Sequence, residues 1–277
     1  RYLVLTARSS DEVGFLDGGL WREDHVEHLH DYQQAPEMAD MVLAGSRPTH
    51  VSAHDGILAI FYDGDSDAGV PAGIQIVTDT DITTNTGASA SFTYTQNMHG
   101  VAKPWGDYVV ATVRRDDAQS TSANTILPDQ VGVFHIHEDE LELEQTLDVA
   151  CPDLHGAAQN HEFLSFGCSD GVLVVHQDGD TFEALKINNI AALDGVRVGT
   201  LYGHENSEAF VGIASSRATG EYTLVTVNPE ENEMEELNWD AQTGATPVAY
   251  SFSFDGAHFL ILDSLGNLSL LAVEEHN

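Results

Sequence analysis

Asn97-Met98-His99-Gly100-Val101-Ala102 has a close variant further along the chain in Asp153-Leu154-His155-Gly156-Ala157-Ala158, and a looser one before it in Pro48-Thr49-His50-Val51-Ser52-Ala53. Each histidine stands a few residues ahead of a turn and a strongly hydrophobic run, over residues 57–62, 108–113 and 163–166 respectively. Short apolar runs bounded by Gly, Asp and Asn read as strands joined by tight turns. The shared order makes the three stretches the openings of three copies of one unit.

Working outward, each copy extends to four strands. The unit opened by His50 continues through 57–62, 73–77 and 91–95, that of His99 through 108–113, 131–136 and 140–144, and that of His155 through 163–166, 171–175 and 181–185. A further unit runs from Arg197 through 209–213, 222–227 and 234–237, and a last one from Val248 through 258–262 and 267–271. A hairpin over 2–6 and 12–17 opens the chain. Units of roughly 40 to 55 residues with four short strands and no helical pattern predict a β-propeller. The expected fold is therefore all-β, with six or seven four-stranded antiparallel blades around a central channel in a single domain over residues 1–277. Six units are visible, the first lacking its inner strand and the last its outer one. A seventh blade would have to lie within residues 21–47, and insertions such as 115–129 fall between strands. Two packed Greek-key sheets would not predict the repetition.

In a propeller the innermost strands line the channel, so His50, His99 and His155, in register on three consecutive blades, are expected to meet near one mouth. Zinc binds imidazole nitrogen in a tetrahedral shell, and three His plus a carboxylate or water complete it. Taken singly, each would read as a hydrogen-bonding channel residue. Glycine after His99 and after His155 suits close backbone approach. His54, His161 and His204 fall in the turns that follow the opening strands, with His204 a secondary candidate ligand. His135 and His137, at i and i+2 ahead of the acidic stretch 138–144, read as a solvated outer face. His25, His28 and His30, set among Asp24, Glu27 and Asp31, form an acidic, His-rich tract of the kind that binds divalent metals weakly.

Composition narrows the classes. The 277 residues carry 45 Asp and Glu against 10 Lys and Arg, a net charge of −35, and only two lysines, Lys103 and Lys186. Such a field repels nucleic acid and anionic membrane surfaces and attracts cations. No apolar run reaches the 18 or so residues a membrane helix needs. With 42% hydrophobic residues the chain can bury a substantial core. Cys151 and Cys168 flank the His155 unit; the favoured reading is one structural disulfide made in an oxidising compartment, with two buried thiols as the alternative. A nucleophile elbow, a phosphate-binding loop and a dinucleotide fingerprint are all absent.

A propeller-like chain in which Met98-His99-Gly100 and Leu154-His155-Gly156 open successive inner strands, with an acidic His-rich tract near its start, resembles the periplasmic zinc metallochaperones of the AztD type. The resemblance implies a non-enzymatic, periplasmic carrier that holds zinc at the channel histidines and hands it to the solute-binding protein of a zinc ABC transporter; a monomer is expected. Two other classes stand beside it. A lactonase-like propeller hydrolase would hold calcium through Glu, Asn and Asp, whereas the residues in register here are His, a poor calcium ligand. A metal-free propeller would serve as a protein-binding platform.

Overall fold

The computed structural model describes residues 1–113, 121, 123–124, 126–193, 195–216, 220–239 and 241–273. The chain divides into two compact units, Arg1–Ile126 with Gly132–Gln145, and Leu127–Val131 with Thr146–Asn277.

The first unit begins with β1 (Tyr2–Ala7) and β2 (Glu12–Asp17), followed by a separate hairpin of β3 (Leu20–Asp24) and β4 (Leu29–Gln33), and then β5 (Glu37–Ala44). β1, β2 and β5 form a three-stranded sheet in that order. Next come β6 (Pro48–His54), β7 (Ile57–Tyr62), β8 (Gly73–Thr78), the helix α1 (Asp79–Thr84) and β9 (Ala90–Thr93). They are followed by β10 (Ala102–Trp105), β11 (Tyr108–Val113), β12 (Gln130–His137) and β13 (Glu140–Thr146). These eight strands are two four-stranded sheets, β6 to β9 and β10 to β13, joined where β13 meets β9 through one parallel pair, Glu140 with Ser91.

The second unit holds β14 (Ala157–Gln159), β15 (Phe163–Gly167), β16 (Gly171–Asp178) and β17 (Thr181–Asn188) in one sheet. β18 (Val198–Tyr202), β19 (Phe210–Ser215), β20 (Tyr222–Asn228) and β21 (Glu233–Glu236) form the next. β22 (Pro247–Phe252), β23 (His258–Asp263) and β24 (Leu268–Ala272) make a three-stranded last sheet.

Burial follows position in the sheet. Central strands such as β7 and β15 are buried on both faces, which is why they read as continuous apolar runs; fourth strands such as β17 and β21 bury fewer of their residues and present charge to water. In the first unit Phe92, Tyr94 and Phe134 pack edge to face and Phe61 lies tilted against Tyr94, with ring centroids 4.8 to 6.5 Å apart. Tyr94 donates its hydroxyl to Thr112 O at 2.7 Å. This aromatic block is the floor under the His99 loop.

The repeat read from sequence is present, with three differences. β1 packs beside β6, as β10 does, so the first sheet has its opening strand, and among the described residues no fourth strand pairs with it, the reverse of the expectation. Residues 21–47 form the β3–β4 hairpin and β5, and among the described residues no further sheet stands there. The third difference is α1, unforeseen in a chain read as lacking helix. Thr78 Oγ1 accepts the Asp81 amide and the Asp81 carboxylate accepts the Thr78 amide, a capping box that starts the helix. The expected insertion at 115–129 lies mostly outside the described residues.

Candidate metal centre

His50 lies within β6, beside a register shift between Pro48 and His50. His99 and His155 instead sit in the loops just ahead of β10 and β14. In both loops the preceding apolar residue anchors the backbone: Met98 and Leu154 are buried, and their amides donate to Asp63 O and Pro128 O, each at 2.9 Å. With that side chain turned into the core, the next one turns the other way.

The glycine after each histidine is required for different local reasons. A Cβ at Gly100 would stand 2.3 Å from Thr112 Oγ1 and 2.5 Å from the Phe61 ring. Gly156 has φ +80°, and its Cβ would stand 2.6 Å from Gly199 O. The repeated His-Gly pair thus reports close packing at both loops.

In the first unit two histidines come together. Nε2 of His50 and Nε2 of His99 are 3.4 Å apart, with ring centroids at 5.1 Å. Two nitrogens bound to one tetrahedral zinc at about 2.0–2.1 Å stand roughly 3.3–3.4 Å apart. The separation matches that spacing and is also that of a hydrogen bond between the two rings. Behind it, Nδ1 of His99 lies 3.1 Å from Asp63 Oδ2. A carboxylate at that nitrogen selects the tautomer with its lone pair on Nε2, the arrangement found behind zinc-bound imidazole.

Asp63 is itself fixed. It follows directly on β7, and Arg8 donates Nη2 to the same Oδ2 at 2.9 Å while also bonding Thr49 Oγ1 and Arg47 O. Burial would raise the Asp63 carboxyl, but the hydrogen bond and charge of His99, then the charge of Arg8, more than offset it and hold the group below the usual carboxylate range. Its Oδ1 is buried with no hydrogen-bond partner. Sequence reasoning missed both Asp63 and Arg8. Neither has a counterpart in the other units, and the available signals were weak: an Asp directly after a buried strand, and an Arg in a chain with few cations.

In the second unit His155 places Nδ1 at 2.8 Å from Gly199 O, which makes Nδ1 the donor and again puts the lone pair on Nε2. Its amide donates to Gly167 O at 2.9 Å. Cys151 and Cys168 are joined in a disulfide, both fully buried, with Cα atoms 4.9 Å apart. Lys186 Nζ donates to Ala150 O and to Asp170 Oδ1, each at 2.6 Å, and braces the same region.

The remaining candidates are placed as follows. His25, His28 and His30 gather at the end of the β3–β4 hairpin with ring centroids 5.3 to 5.8 Å apart, close to Glu23 and Tyr32. All three are exposed. His204 accepts the Asn206 amide on Nδ1 at 3.1 Å and so organises its turn. His54, at the end of β6, stacks on Trp105. His135 lies 3.5 Å from Glu144 on a partly exposed face. Among the described residues no three His, Cys, Asp or Glu side chains are grouped so as to hold a metal ion. The two-histidine pair with Asp63 behind it is the most developed donor set.

No protein-family model matches the chain. A curated relative, zinc chaperone AztD of Citrobacter koseri, is 24% identical over 226 residues, covering 81% of this chain and 49% of its own length. The chain thus spans about half the length of the curated relative it matches. The structure of apo AztD from Citrobacter koseri superposes with a TM-score of 0.78 at 20% identity, covering 98% of this chain and 68% of that one. The β-propeller domain of the Trilobed protease from Pyrococcus furiosus gives a TM-score of 0.50 at 10% identity, over 99% of this chain and 81% of that one. Sheets in series, each opened by an inner strand, and a backbone shared with these structures make this chain a β-propeller, similar in fold to AztD.

Proposed function

We propose that this protein is a zinc-binding metallochaperone of the periplasm that delivers its ion to the solute-binding protein of an ABC transporter. The observation that carries this reading is the facing Nε2 pair of His50 and His99, with Asp63 set behind His99. His155, held by its Nδ1 in the tautomer a ligand needs, is the third proposed member of the set. The likeness to a protein named zinc chaperone supports zinc as the cargo. A buried disulfide is in keeping with an oxidising compartment. The protein acts as one propeller domain and a monomer, and catalyses no reaction.

As cargo, zinc must be held firmly and then released to another set of ligands. Neutral imidazoles suit this, because an incoming donor can displace them one at a time. In this reading the exposed His25, His28 and His30 capture zinc in the acidic field and pass it to the histidine set. Asp63 and Arg8 preset His99, so that little ordering is needed when the ion arrives.

The test is calorimetric titration of zinc into the wild type and the His99→Ala, His155→Ala double variant. One-site binding in the wild type, lost in the double variant, is the expected result; binding that survives the double substitution refutes the site. Transfer to a zinc-stripped solute-binding protein faster than dissociation into a bulk chelator is the matching result for delivery. Chelator-sensitive hydrolysis of lactones or esters would instead indicate an enzyme.

A further inference from the structure

Arg8, just past β1, does more than neutralise Asp63. Its Nη1 donates to Arg47 O at 3.1 Å and to Thr49 Oγ1, and its Nη2 donates to Asp63 Oδ2 at 2.9 Å. Thr49 adjoins His50 in β6. Asp63 Oδ2 also lies 3.1 Å from His99 Nδ1, so the guanidinium nitrogen and that imidazole nitrogen are at most 6.0 Å apart. Three bonds to three segments fix the side chain, yet it is 48% exposed. A guanidinium has five N–H donors. Nε–H and one Nη2–H therefore remain, and among the described residues they have no acceptor. Two donors on a planar, preordered guanidinium suit a carboxylate.

Charge decides when such a seat fills. Asp63 is paired with Arg8, and Arg47 donates Nη2 to Asp65 Oδ2 at 2.8 Å and its amide to Asp11 Oδ1 at 2.8 Å. Three carboxylates thus stand against two guanidiniums, in a chain of net charge −35. An incoming anion is repelled by that field. A zinc ion on the His50 and His99 pair adds two positive charges behind Asp63 and turns the local excess from negative to positive. By linkage, a carboxylate that binds better beside zinc must tighten zinc by the same factor.

We propose that the unused N–H pair of Arg8 is a carboxylate seat that fills once zinc is bound, so that an acidic group distinguishes the loaded carrier from the empty one. This rests on the zinc reading given above. A side chain of a partner protein and a free small carboxylate offer the same chemistry to Arg8, and the experiment separates them.

Zinc is titrated by calorimetry into the full chain in sodium acetate and in sodium nitrate, both at about 0.1 M ionic strength. Zinc affinity is expected to be about fivefold or more higher in acetate, although acetate competes weakly for zinc and pulls the other way. Arg8→Gln should bring the acetate-to-nitrate ratio to about one, and Arg8→Lys, which keeps the charge without the planar fork, should lose most of it. The ratio is the readout because a change in zinc affinity alone does not move it. In a second arm, a fluorescent peptide of alternating Glu and Gly is followed by anisotropy against zinc-loaded and zinc-stripped protein. Saturable binding to the loaded form alone, lost in Arg8→Gln, supports the seat and assigns it to a protein carboxylate; an acetate response without peptide binding supports it for a free one. Zinc affinity unchanged or lower in acetate overturns the seat alone, as does tightening that survives Arg8→Gln. Absence of zinc binding in either salt sinks the zinc reading and the seat together.

Discussion

Nε2 of His50 and Nε2 of His99 face each other across 3.4 Å although their residues lie 49 positions apart. If both bind one ion, removing either should remove most of what the pair contributes. His50→Ala and His99→Ala are each expected to weaken zinc binding tenfold or more, by an order-of-magnitude estimate from ligand loss. The double variant should be little worse than the worse single one, since each removal already breaks the pair. Competition against a fluorescent chelator measures all three. Full additivity would mean that the two rings act independently.

Asp63→Asn keeps the shape of the side chain and removes its charge. The expected result is a loss of about 10- to 100-fold in zinc affinity, the size seen for partners behind zinc ligands. Circular dichroism and thermal unfolding should show the fold retained. Unchanged zinc affinity would assign Asp63 to holding Arg8 alone.

The disulfide between Cys151 and Cys168 closes a separation of 17 residues. Chain-entropy arguments give about 3 kcal/mol for a loop of this size. The Cys151→Ser, Cys168→Ser variant should lose about that much stability in urea unfolding. Because His155 lies inside the loop, its zinc affinity should fall as well.

Lys103 on β10 tests burial directly. Desolvation pushes its ammonium down to about 8, against about 10.4 in an unfolded chain. Between those values the unfolded chain holds more protons, so stability should rise as pH climbs from about 8 towards about 10; below 8 the penalty is fully present. Lys103→Met should stabilise the protein at pH 7 by about 1–3 kcal/mol, with the lower end expected because the side chain retains some accessibility. The gain should vanish above pH 10 or so. Urea midpoints measured across pH would show a flat difference if the ammonium were well hydrated.

What repeats in this chain was legible, and what occurs once was not. The apolar runs of β7, β11 and β15 could be read because strands buried on both faces admit little else. The His-Gly pairs found two of the loops, since a crowded turn leaves glycine no substitute at either. Arg8 and Asp63 escaped because their link joins the end of β1 to the end of β7 in one place only, and no other unit carries a copy. Helix α1 escaped although Thr78 and Asp81 spell its capping box, because its three threonines and two aspartates left Ile82 alone and no apolar stripe to read. The first sheet was misjudged because β1 is largely exposed, so its pattern did not announce an opening strand.

The bridge between Cys151 and Cys168 makes the segment around His155 a closed covalent ring. A protease that cuts one peptide bond between the two cysteines therefore separates nothing. The nicked protein would run at full length on a non-reducing gel and fall into two fragments only after reduction, and the histidine loop would stay tied to β15 at one side of the cut and to the strand before it at the other.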